Sequence, residues 1–208
     1  MNLARITSIY LFGPDGSGKT TLIRLFRNYM YVQGVYVYTS WFRGTHLLAS
    51  LLARFLSSFR LFKGLDNPYY KISIPSQLRN LWVFIEFVSF IPHYLLRKLI
   101  SLIVFVLGDR GTIDFIVWIM LTLNYYYFPR TLIGEFLLRL ASKDKAIYVT
   151  AEPSTLLKRV IDTPTLFLLR EIVYYRVLAK YYAECLVDTT LKKPSESLHE
   201  LLKCLQAL

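Results

Sequence analysis

The stretch Gly13-Pro14-Asp15-Gly16-Ser17-Gly18-Lys19-Thr20 decides how the chain folds, because two glycines separated by four residues are followed by Lys-Thr. An apolar, β-prone run at 6–12 precedes it, and residues 21–31 follow with apolar side chains at helical spacing. Glycines let successive backbone N–H groups point at phosphate oxygens, and a following helix directs its positive end at the same place. The stretch therefore predicts a strand, a phosphate-binding loop and a helix.

Two side chains of this loop have the chemistry that a nucleoside triphosphate requires. Lys19 is expected to reach the terminal phosphates, and the Thr20 hydroxyl is expected to hold Mg²⁺. The loop is followed by a helix and preceded by a strand, which is the context that such a motif needs. We therefore predict a triphosphate-binding chain.

The composition fits one domain with an anionic substrate. The chain has 208 residues and a formal net charge of +11, and the first 64 residues carry eight basic side chains but one acid, Asp15. Such a field attracts phosphorylated substrates, and it would also attract nucleic acid or acidic lipid headgroups. The basic residues form no dense run, which counts against nucleic acid. We predict a single domain over 1–208, with a short lid at about 159–168.

Cysteine content and the apolar stretches bear on location and partners. Cys185 and Cys204 are too few for a disulfide framework, so a reduced cytoplasmic setting with two small buried apolar cysteines is expected. Residues 1–12 are needed for the first strand, so we predict no export signal. The apolar stretches 81–96 and 115–128 are shorter than a membrane span. They predict helices buried against a sheet or in a homodimer interface, with peripheral membrane contact as the alternative.

Strands and helices alternate along the whole chain. Strands are predicted at 6–12, 35–39, 101–107, 146–151 and 185–188, residues 59–75 read as a loop, and Pro92 is expected to kink or interrupt the helix at 76–96. A helix or helix pair at 113–140 should break near Pro129. This order predicts an α/β fold with a five-stranded parallel sheet and helices on both faces, of the P-loop kinase type.

Several charged side chains follow the predicted strands, at the sheet edge where ligands of such folds bind. Asp109 is placed to orient the Mg²⁺ shell, and Arg110 and Arg43 are placed to bind an acceptor phosphate. Arg159 flanks the short polar segment at 161–165, which is expected to close over the phosphates. Asp114 is expected either to cap the helix that follows or to face the acceptor. We predict Lys19, Asp109, Arg110 and Arg159 as catalytic residues, and Thr20 and Asp109 as metal ligands.

At these motifs the sequence resembles the thymidylate kinase family of nucleoside monophosphate kinases. The likeness covers nearly the whole chain and rests on four segments: the loop at 13–21, Gly108-Asp109-Arg110, 153–159, and 174–179 followed by Val187-Asp188-Thr189. It implies transfer of the γ-phosphoryl group of ATP to dTMP, with adenine near 189–194, a monophosphate held by Arg43 and Arg110, and Asp15 at the acceptor sugar. The implied ATP-binding residues are Gly13, Pro14, Asp15, Gly16, Ser17, Gly18, Lys19, Thr20 and Thr21.

The chain also departs from this family. The family's tyrosine after Asp-Arg is Gly111 here, no arginine stands near Glu86-Phe87 where the family reads thymine, and 161–165 contain no arginine. Two alternatives therefore stay open. One is a kinase for another phosphorylated or membrane-associated acceptor, and the other is a module that binds ATP without turnover.

Overall fold

A parallel sheet flanked by helices forms the centre of the computed structural model, which describes residues 7–42 and 44–207. The strands are β1 (Ser8–Phe12), β2 (Val37–Trp41), β3 (Lys63–Asn67), β4 (Phe105–Asp109), β5 (Ala146–Thr150) and β6 (Cys185–Asp188). The helices are α1 (Lys19–Val32), α2 (Leu47–Leu56), α3 (Arg79–Ser101), α4 (Thr112–Thr122), α5 (Leu132–Ala141), α6 (Pro153–Arg159), α7 (Thr165–Tyr182) and α8 (Pro194–Ala207).

Five of the strands pair in the order β2-β4-β1-β5-β6, and all the neighbouring pairs are parallel. Successive residues of β1 point to opposite faces, as the two-residue period of a strand requires. Ile9 and Leu11 pack against α1 and α8, whereas Phe12 packs with residues of α3, α4 and α7. The predicted five-stranded parallel sheet with helices on both faces is confirmed.

The boundary between α3 and β4 differs from the prediction. The continuous apolar run at 101–107 was expected to be one strand, but α3 extends to Ser101 and β4 begins at Phe105. An apolar run does not show where a helix ends and a strand begins when both elements are buried on one side. The paired strand therefore ends at Asp109, so Gly108 and Asp109 belong to the sheet.

The interruption expected at Pro92 does not occur, and the loop expected at 59–75 contains a strand. Helix α3 continues through Pro92 without interruption, with the ring on the exposed side of the helix. The helix tolerates the missing N–H of Pro92 because this side of the helix is exposed to solvent. The predicted loop at 59–75 contains β3, which forms antiparallel bridges from Lys63 and Asn67 to Ile72.

Helix α4 lies at the centre of the molecule. All of its residues are buried, and it is separated from α5 by a turn at Phe128–Arg130, near the expected break at Pro129. The apolar residues from 115 to 123 are therefore explained by the core, whereas Tyr126 and Tyr127 are each 61% exposed. The alternative prediction, that a face of α4 is free to form a homodimer interface, is wrong because no side of α4 is exposed.

Helix α3 behaves differently, since an apolar stripe on its outer side is exposed. Its members are Leu81, Phe84, Val88, Leu95, Leu96 and Leu99, each 41–62% exposed. Within residues 7–42 and 44–207, no helix combines the length and hydropathy that crossing a bilayer would need.

The two cysteines are bonded to each other. Cys185 in β6 and Cys204 in α8 form a disulfide with a Cα–Cα distance of 6.2 Å, and both residues are half-buried. The expectation of two separate, buried apolar cysteines was wrong. Their 19-residue separation hid the pairing, because α8 folds back along the edge strand.

Candidate active site

The phosphate-binding loop joins the carboxyl end of β1 to the amino end of α1, so its backbone amides face the same side as the strand ends. Gly13 lies so close to β5 that an added Cβ would be 2.0 Å from the carbonyl oxygen of Val149. Gly18, at φ 89°, precedes α1 in the left-handed region. Side chains other than glycine rarely fit such positions, which explains why the loop needs glycine here.

Lys19 is folded back over the loop and is only 5% exposed. Its Nζ donates to the carbonyl oxygens of Gly13 at 2.8 Å and Pro14 at 2.7 Å, and to Ser17 Oγ at 3.1 Å. Burial, with a further contribution from the charge of Arg110, lowers the pKa of Lys19 to about 8. The ammonium group is therefore bonded to the loop itself, beside the cleft that the loop lines.

Thr20 and Asp109 meet although they are far apart in the sequence. Thr20 Oγ1 donates to Asp109 Oδ2 at 2.9 Å, across from α1 to the end of β4. A hydroxyl and a carboxylate oxygen are donors that Mg²⁺ prefers, and magnesium usually takes only one or two such protein ligands beside water and phosphate. These two residues therefore fit a magnesium ion bound to a nucleotide.

Arg110 is the cation at the centre of a buried charge cluster. It adopts φ 74° and forms ion pairs with Asp15 and with Asp114, the latter at 3.2 Å. It also donates to the hydroxyl of Tyr175 at 3.1 Å, and Tyr175 donates in turn to Asp114 at 2.7 Å. The cluster holds the guanidinium beside the phosphate-binding loop.

Of the two alternatives for Asp114, the structure shows the helix cap, and Asp114 does not line the cleft. Its Oδ2 accepts from the backbone N–H of Gly111 at 2.8 Å, which caps α4, while its Oδ1 pairs with Arg110. Burial raises the pKa of this carboxyl, and the charge of Arg110 opposes that rise. Asp114 is 1% exposed, so it acts on the site through Arg110.

Arg159 contacts the loop from the end of α6. It donates to the carbonyl oxygen of Gly16 at 3.2 Å, and to Oγ1 and the carbonyl oxygen of Thr189 at 2.9 Å each. The segment predicted as a lid is a five-residue turn between α6 and α7. Arg170, which also flanks this turn, donates to Asn124 at 3.0 Å and does not line the cleft.

These groups surround a cleft of about 430 Å³. Most of the predicted site residues line it: Asp15, Gly16, Gly18, Lys19, Thr20, Thr21, Asp109, Arg110 and Arg159. The oxygen atoms that accept hydrogen bonds from Lys19 Nζ belong to three other residues of the loop: Gly13, Pro14 and Ser17. Thr189, Lys192 and Pro194 line the side where adenine was expected. Arg43 lies outside the described residues.

Sequence reasoning missed two buried charges that support the site. Glu171 in α7 accepts from the backbone N–H of Asp15 at 3.0 Å. Arg97 in α3 donates to Ser40 Oγ at 2.8 Å, to the Ser40 carbonyl oxygen at 2.6 Å and to the Arg110 carbonyl oxygen at 2.8 Å. A charged residue among the buried positions of a helix is the signal for each, and in α3 Glu86 and Arg97 share that buried face.

Known structures share this fold. A thymidylate kinase from Candida albicans aligns with a TM-score of 0.64 and 12% identity over 98% of this chain and 92% of that chain. A thymidylate kinase from Ehrlichia chaffeensis aligns with a TM-score of 0.58 and 19% identity over 96% of this chain and 97% of that one. No protein-family profile and no curated protein matches the sequence. The chain therefore has the thymidylate kinase-like P-loop fold predicted from its motifs.

Proposed function

We propose that the chain is a nucleoside monophosphate kinase that transfers the γ-phosphoryl group of Mg²⁺-ATP to a nucleoside monophosphate. The observation that carries this proposal is the hydrogen bond between Thr20 and Asp109, with Lys19 on one side and Arg110 on the other. One cleft thus contains a place for the metal and the donor phosphates, and a separate cation for a second phosphate. Phosphoryl transfer depends mainly on positioning and on neutralising charge, and these residues are suited to both.

In the proposed reaction an oxygen of the acceptor phosphate bonds to the γ-phosphorus as the bond from that phosphorus to ADP breaks. Lys19 moves from the carbonyls of Gly13 and Pro14 to the donor phosphates, which restores its full charge. Arg110 binds the acceptor phosphate, and Arg159 neutralises charge at the loop. Magnesium, when bound, supplies further charge neutralisation between the donor phosphates.

The proposed acceptor is dTMP. Support comes from the likeness to two thymidylate kinases, whose fold this chain shares. The low identity leaves the base open, so other monophosphates belong in the same test. ATP binding without turnover is the second candidate, because the 160–164 turn contains neither lysine nor arginine.

We further propose that the chain forms a homodimer through the exposed apolar stripe of α3. A stripe of this length is larger than the scattered apolar side chains that a monomer usually exposes. Peripheral binding to acidic lipids is the alternative, since the exposed cations Arg54, Arg60 and Lys63 lie on or just after the neighbouring α2.

Purified protein with Mg²⁺-ATP and each common monophosphate tests the proposed activity. We expect a nucleoside diphosphate product, and we expect Lys19→Ala to lower the rate by about 10²-fold or more because a phosphate-binding charge is lost. Lys203→Ala, at an exposed position of α8, is the matched control and should keep the wild-type rate. If ATP binds but no monophosphate is converted, the binding module is the correct description.

A further inference from the structure

A groove of about 520 Å³ lies between α7 and β6, an edge strand of the sheet. Its walls come from α7, β5, β6 and the residues that directly follow α7 and β5. None of its lining residues also lines the phosphate cleft. The volume is within the roughly 300–1,000 Å³ that is typical of small-molecule sites. We call this cavity the edge groove, and it is large enough for a ligand of its own.

The floor of the edge groove is one face of β5 and β6. Tyr148 of β5 pairs with Leu186 of β6, and Thr150 pairs with Asp188. Paired residues of parallel strands point to the same face of a sheet, and Tyr148 packs here with residues of α7. Leu186 is 52% exposed although it is apolar. The floor therefore offers an apolar surface that ends in polar side chains.

The α7 side of the edge groove combines two cations with two small residues. Arg176, Ala179, Lys180 and Ala183 follow one another at spacings of three and four residues, so they share one side of the helix. The alanines leave space, and the two longer side chains bring positive charge to it. Within residues 7–42 and 44–207, neither charged head group has a hydrogen bond or an ion pair. We call Arg176 and Lys180 the cationic wall.

The strand side of the edge groove carries two carboxylates, Glu152 and Asp188, which we call the acidic wall. Asp188 Oδ1 accepts from the N–H of Thr190 at 2.9 Å and from its hydroxyl at 2.5 Å. In the described part of the chain, Asp188 Oδ2 and the Glu152 carboxylate accept no hydrogen bond, and no ion pair joins the two walls. Charges of both signs therefore line one groove with space between them.

A buried hydroxyl on the floor has no partner. Tyr148 is 3% exposed, and its hydroxyl makes no hydrogen bond with any residue that the structure describes. Burial raises the pKa of Tyr148, and that rise is opposed by Thr150, which is not at hydrogen-bonding geometry, and by the charge of Arg176. The hydroxyl therefore lies near the cationic wall. Buried polar groups nearly always have a hydrogen-bond partner, so a ligand that binds beside Arg176 can supply the missing one.

We propose that the edge groove binds a small dipolar molecule, whose anionic group contacts the cationic wall and the Tyr148 hydroxyl and whose N–H donors contact the acidic wall. Its short apolar body lies on Leu186 and against Ala179 and Ala183. Guanidinium and ammonium groups donate to an anion, and carboxylates accept from N–H donors, so both ends form charge-assisted hydrogen bonds. The site is separate from the proposed kinase reaction and does not depend on it.

Three probes built on one ring test the charge pattern of the ligand. The compound 4-(aminomethyl)benzoate carries an anion and a cation at opposite ends of the ring. The compounds 4-methylbenzoate and 4-methylbenzylamine each keep one of these charges. In calorimetric titration near neutral pH, we expect the dipolar probe to bind at least about tenfold more tightly than either of the others, because each end adds a charge-assisted hydrogen bond. Equal affinities, or no binding of any probe, would overturn the proposal.

Charge-removing variants at exposed positions test each wall. Arg176→Gln should weaken binding of 4-(aminomethyl)benzoate about tenfold and leave that of 4-methylbenzylamine within about twofold. Glu152→Gln should have the same effect on the dipolar probe and leave 4-methylbenzoate within about twofold. Arg139→Gln and Glu135→Gln, at exposed positions of α5, are the matched controls. If the wall variants bind the dipolar probe as the controls do, the walls are not its binding groups and the proposal fails.

Tyr148→Phe separates a binding role of the hydroxyl from a structural one. Because the hydroxyl has no partner in the described part of the protein, the unliganded variant should unfold at the wild-type temperature or above it. Its affinity for 4-(aminomethyl)benzoate should nevertheless fall about fivefold. Tyr181→Phe, at a 77% exposed position of α7, is the control and should change neither quantity. A lower unfolding temperature with unchanged affinity would show that the hydroxyl only supports the fold.

Competition with ATP shows which cavity the probe occupies. The edge groove and the cleft share no lining residue, so saturating Mg²⁺-ATP should leave the affinity for 4-(aminomethyl)benzoate unchanged. Lys19→Ala, which alters the cleft alone, should bind the probe as the wild type does. Displacement of the probe by ATP would place it in the cleft and overturn the assignment. A protein that binds the probe but phosphorylates no monophosphate would contradict the proposed function and leave the edge groove as a binding site.

Discussion

Four residues of the cleft are fixed by contacts that the chain makes over long sequence separations. Thr20 donates a hydrogen bond to Asp109, and Asp15 forms an ion pair with Arg110. Two residues of the phosphate-binding loop are therefore bonded to the end of β4. These contacts place opposite charges next to one another before any ligand is bound. A phosphorylated ligand must therefore displace protein partners from Lys19 and Arg110, and the protonation of Lys19 should affect its binding.

Binding of Mg²⁺-ATP should weaken as the pH rises above about 8. The pKa of Lys19 is lowered to about 8, mainly by burial, so its ammonium form is lost through that pH and the triphosphate loses a counter-charge. Calorimetric titration between pH 7 and pH 9.5 measures the effect. Lys19→Arg keeps its charge over this range and should show no such fall. A wild-type affinity that is constant across the range would contradict the assignment.

Glu86 should make stability depend on pH with a defined sign. Burial raises the pKa of Glu86 from 4.5 to about 7, so its stabilising contribution is present below pH 4.5 and is lost as the pH rises through 7. Relative to Glu86→Gln, the wild type should lose about 3 kcal/mol of unfolding free energy over that window. Urea denaturation at several pH values measures it, with Glu135→Gln as the control. The account is wrong if the difference between the two proteins stays flat.

At the scale of elements, α3 supports both parts of the site from one face. Glu86 and Arg97 are eleven residues apart, which is close to three helical turns, so they point the same way. Glu86 holds the loop after β2, while Arg97 joins the carboxyl end of β2 to that of β4. One face of the helix thus contacts both the loop after β2 and the backbone of Arg110.

Removing the Arg97 contacts should destabilise the protein. In Arg97→Gln, buried oxygens of Ser40 and Arg110 lose their donors, which should cost at least about 2 kcal/mol of unfolding free energy. Urea denaturation measures the loss, and the acceptor KM should rise because Arg110 at φ 74° is no longer held. Arg139→Gln on the exposed side of α5 should stay within about 0.5 kcal/mol of wild type. A similar small change at Arg97 would show that it does not clamp the strands.

The disulfide between β6 and α8 gives a further expectation. Closing its loop should stabilise the fold by about 3 kcal/mol, so Cys204→Ser should lower the unfolding free energy by about that amount. Thiol titration of the denatured, unreduced protein should find no free thiol, and two after reduction. Two thiols before reduction would contradict the pairing and favour the reduced cytoplasmic setting expected from the sequence.

The sequence predicted elements with strong local signals and missed those that depend on packing. The loop at 13–20, the five-stranded parallel sheet and the helix break near Pro129 follow from glycine, proline and periodicity, whereas β3 and the start of β4 do not. The extension of α3 through Pro92 and on to Ser101 did not follow, because solvent on the exposed side of the helix accommodates Pro92 and because an apolar run does not show where the helix ends. In the site, the loop residues and Arg110 were found from their order in the chain. Glu86 and Arg97 were not assigned roles, because the contacts of a buried charge depend on which loop the fold brings to it.

At the scale of the whole molecule, the high apolar content has two separate explanations. Helix α4 accounts for one apolar stretch because it is buried on all sides. The other is exposed on α3. The phosphate cleft and the α3 stripe are therefore distinct features, and one can be changed without the other.

The α3 stripe should bury itself against a second copy. Light scattering should give twice the chain mass of 24.4 kDa, and Phe84→Glu should return the mass of one chain because a charge is placed in an apolar interface. Leu132→Glu, at an 88% exposed position on α5, is the control and should leave the mass unchanged. A wild-type mass of one chain, together with sedimentation on anionic vesicles, would instead assign the stripe to lipid.

If the cleft transfers a phosphoryl group between two nucleotides, a label on the γ-phosphate of ATP should move to the acceptor. With ATP labelled at the γ-phosphate and with dTMP and the other monophosphates as acceptors, we expect labelled nucleoside diphosphate and ADP in a one-to-one ratio. Lys19→Ala should abolish that product, whereas Lys203→Ala should not. Label that stays on ATP or appears only as inorganic phosphate, with every acceptor present, would contradict the account.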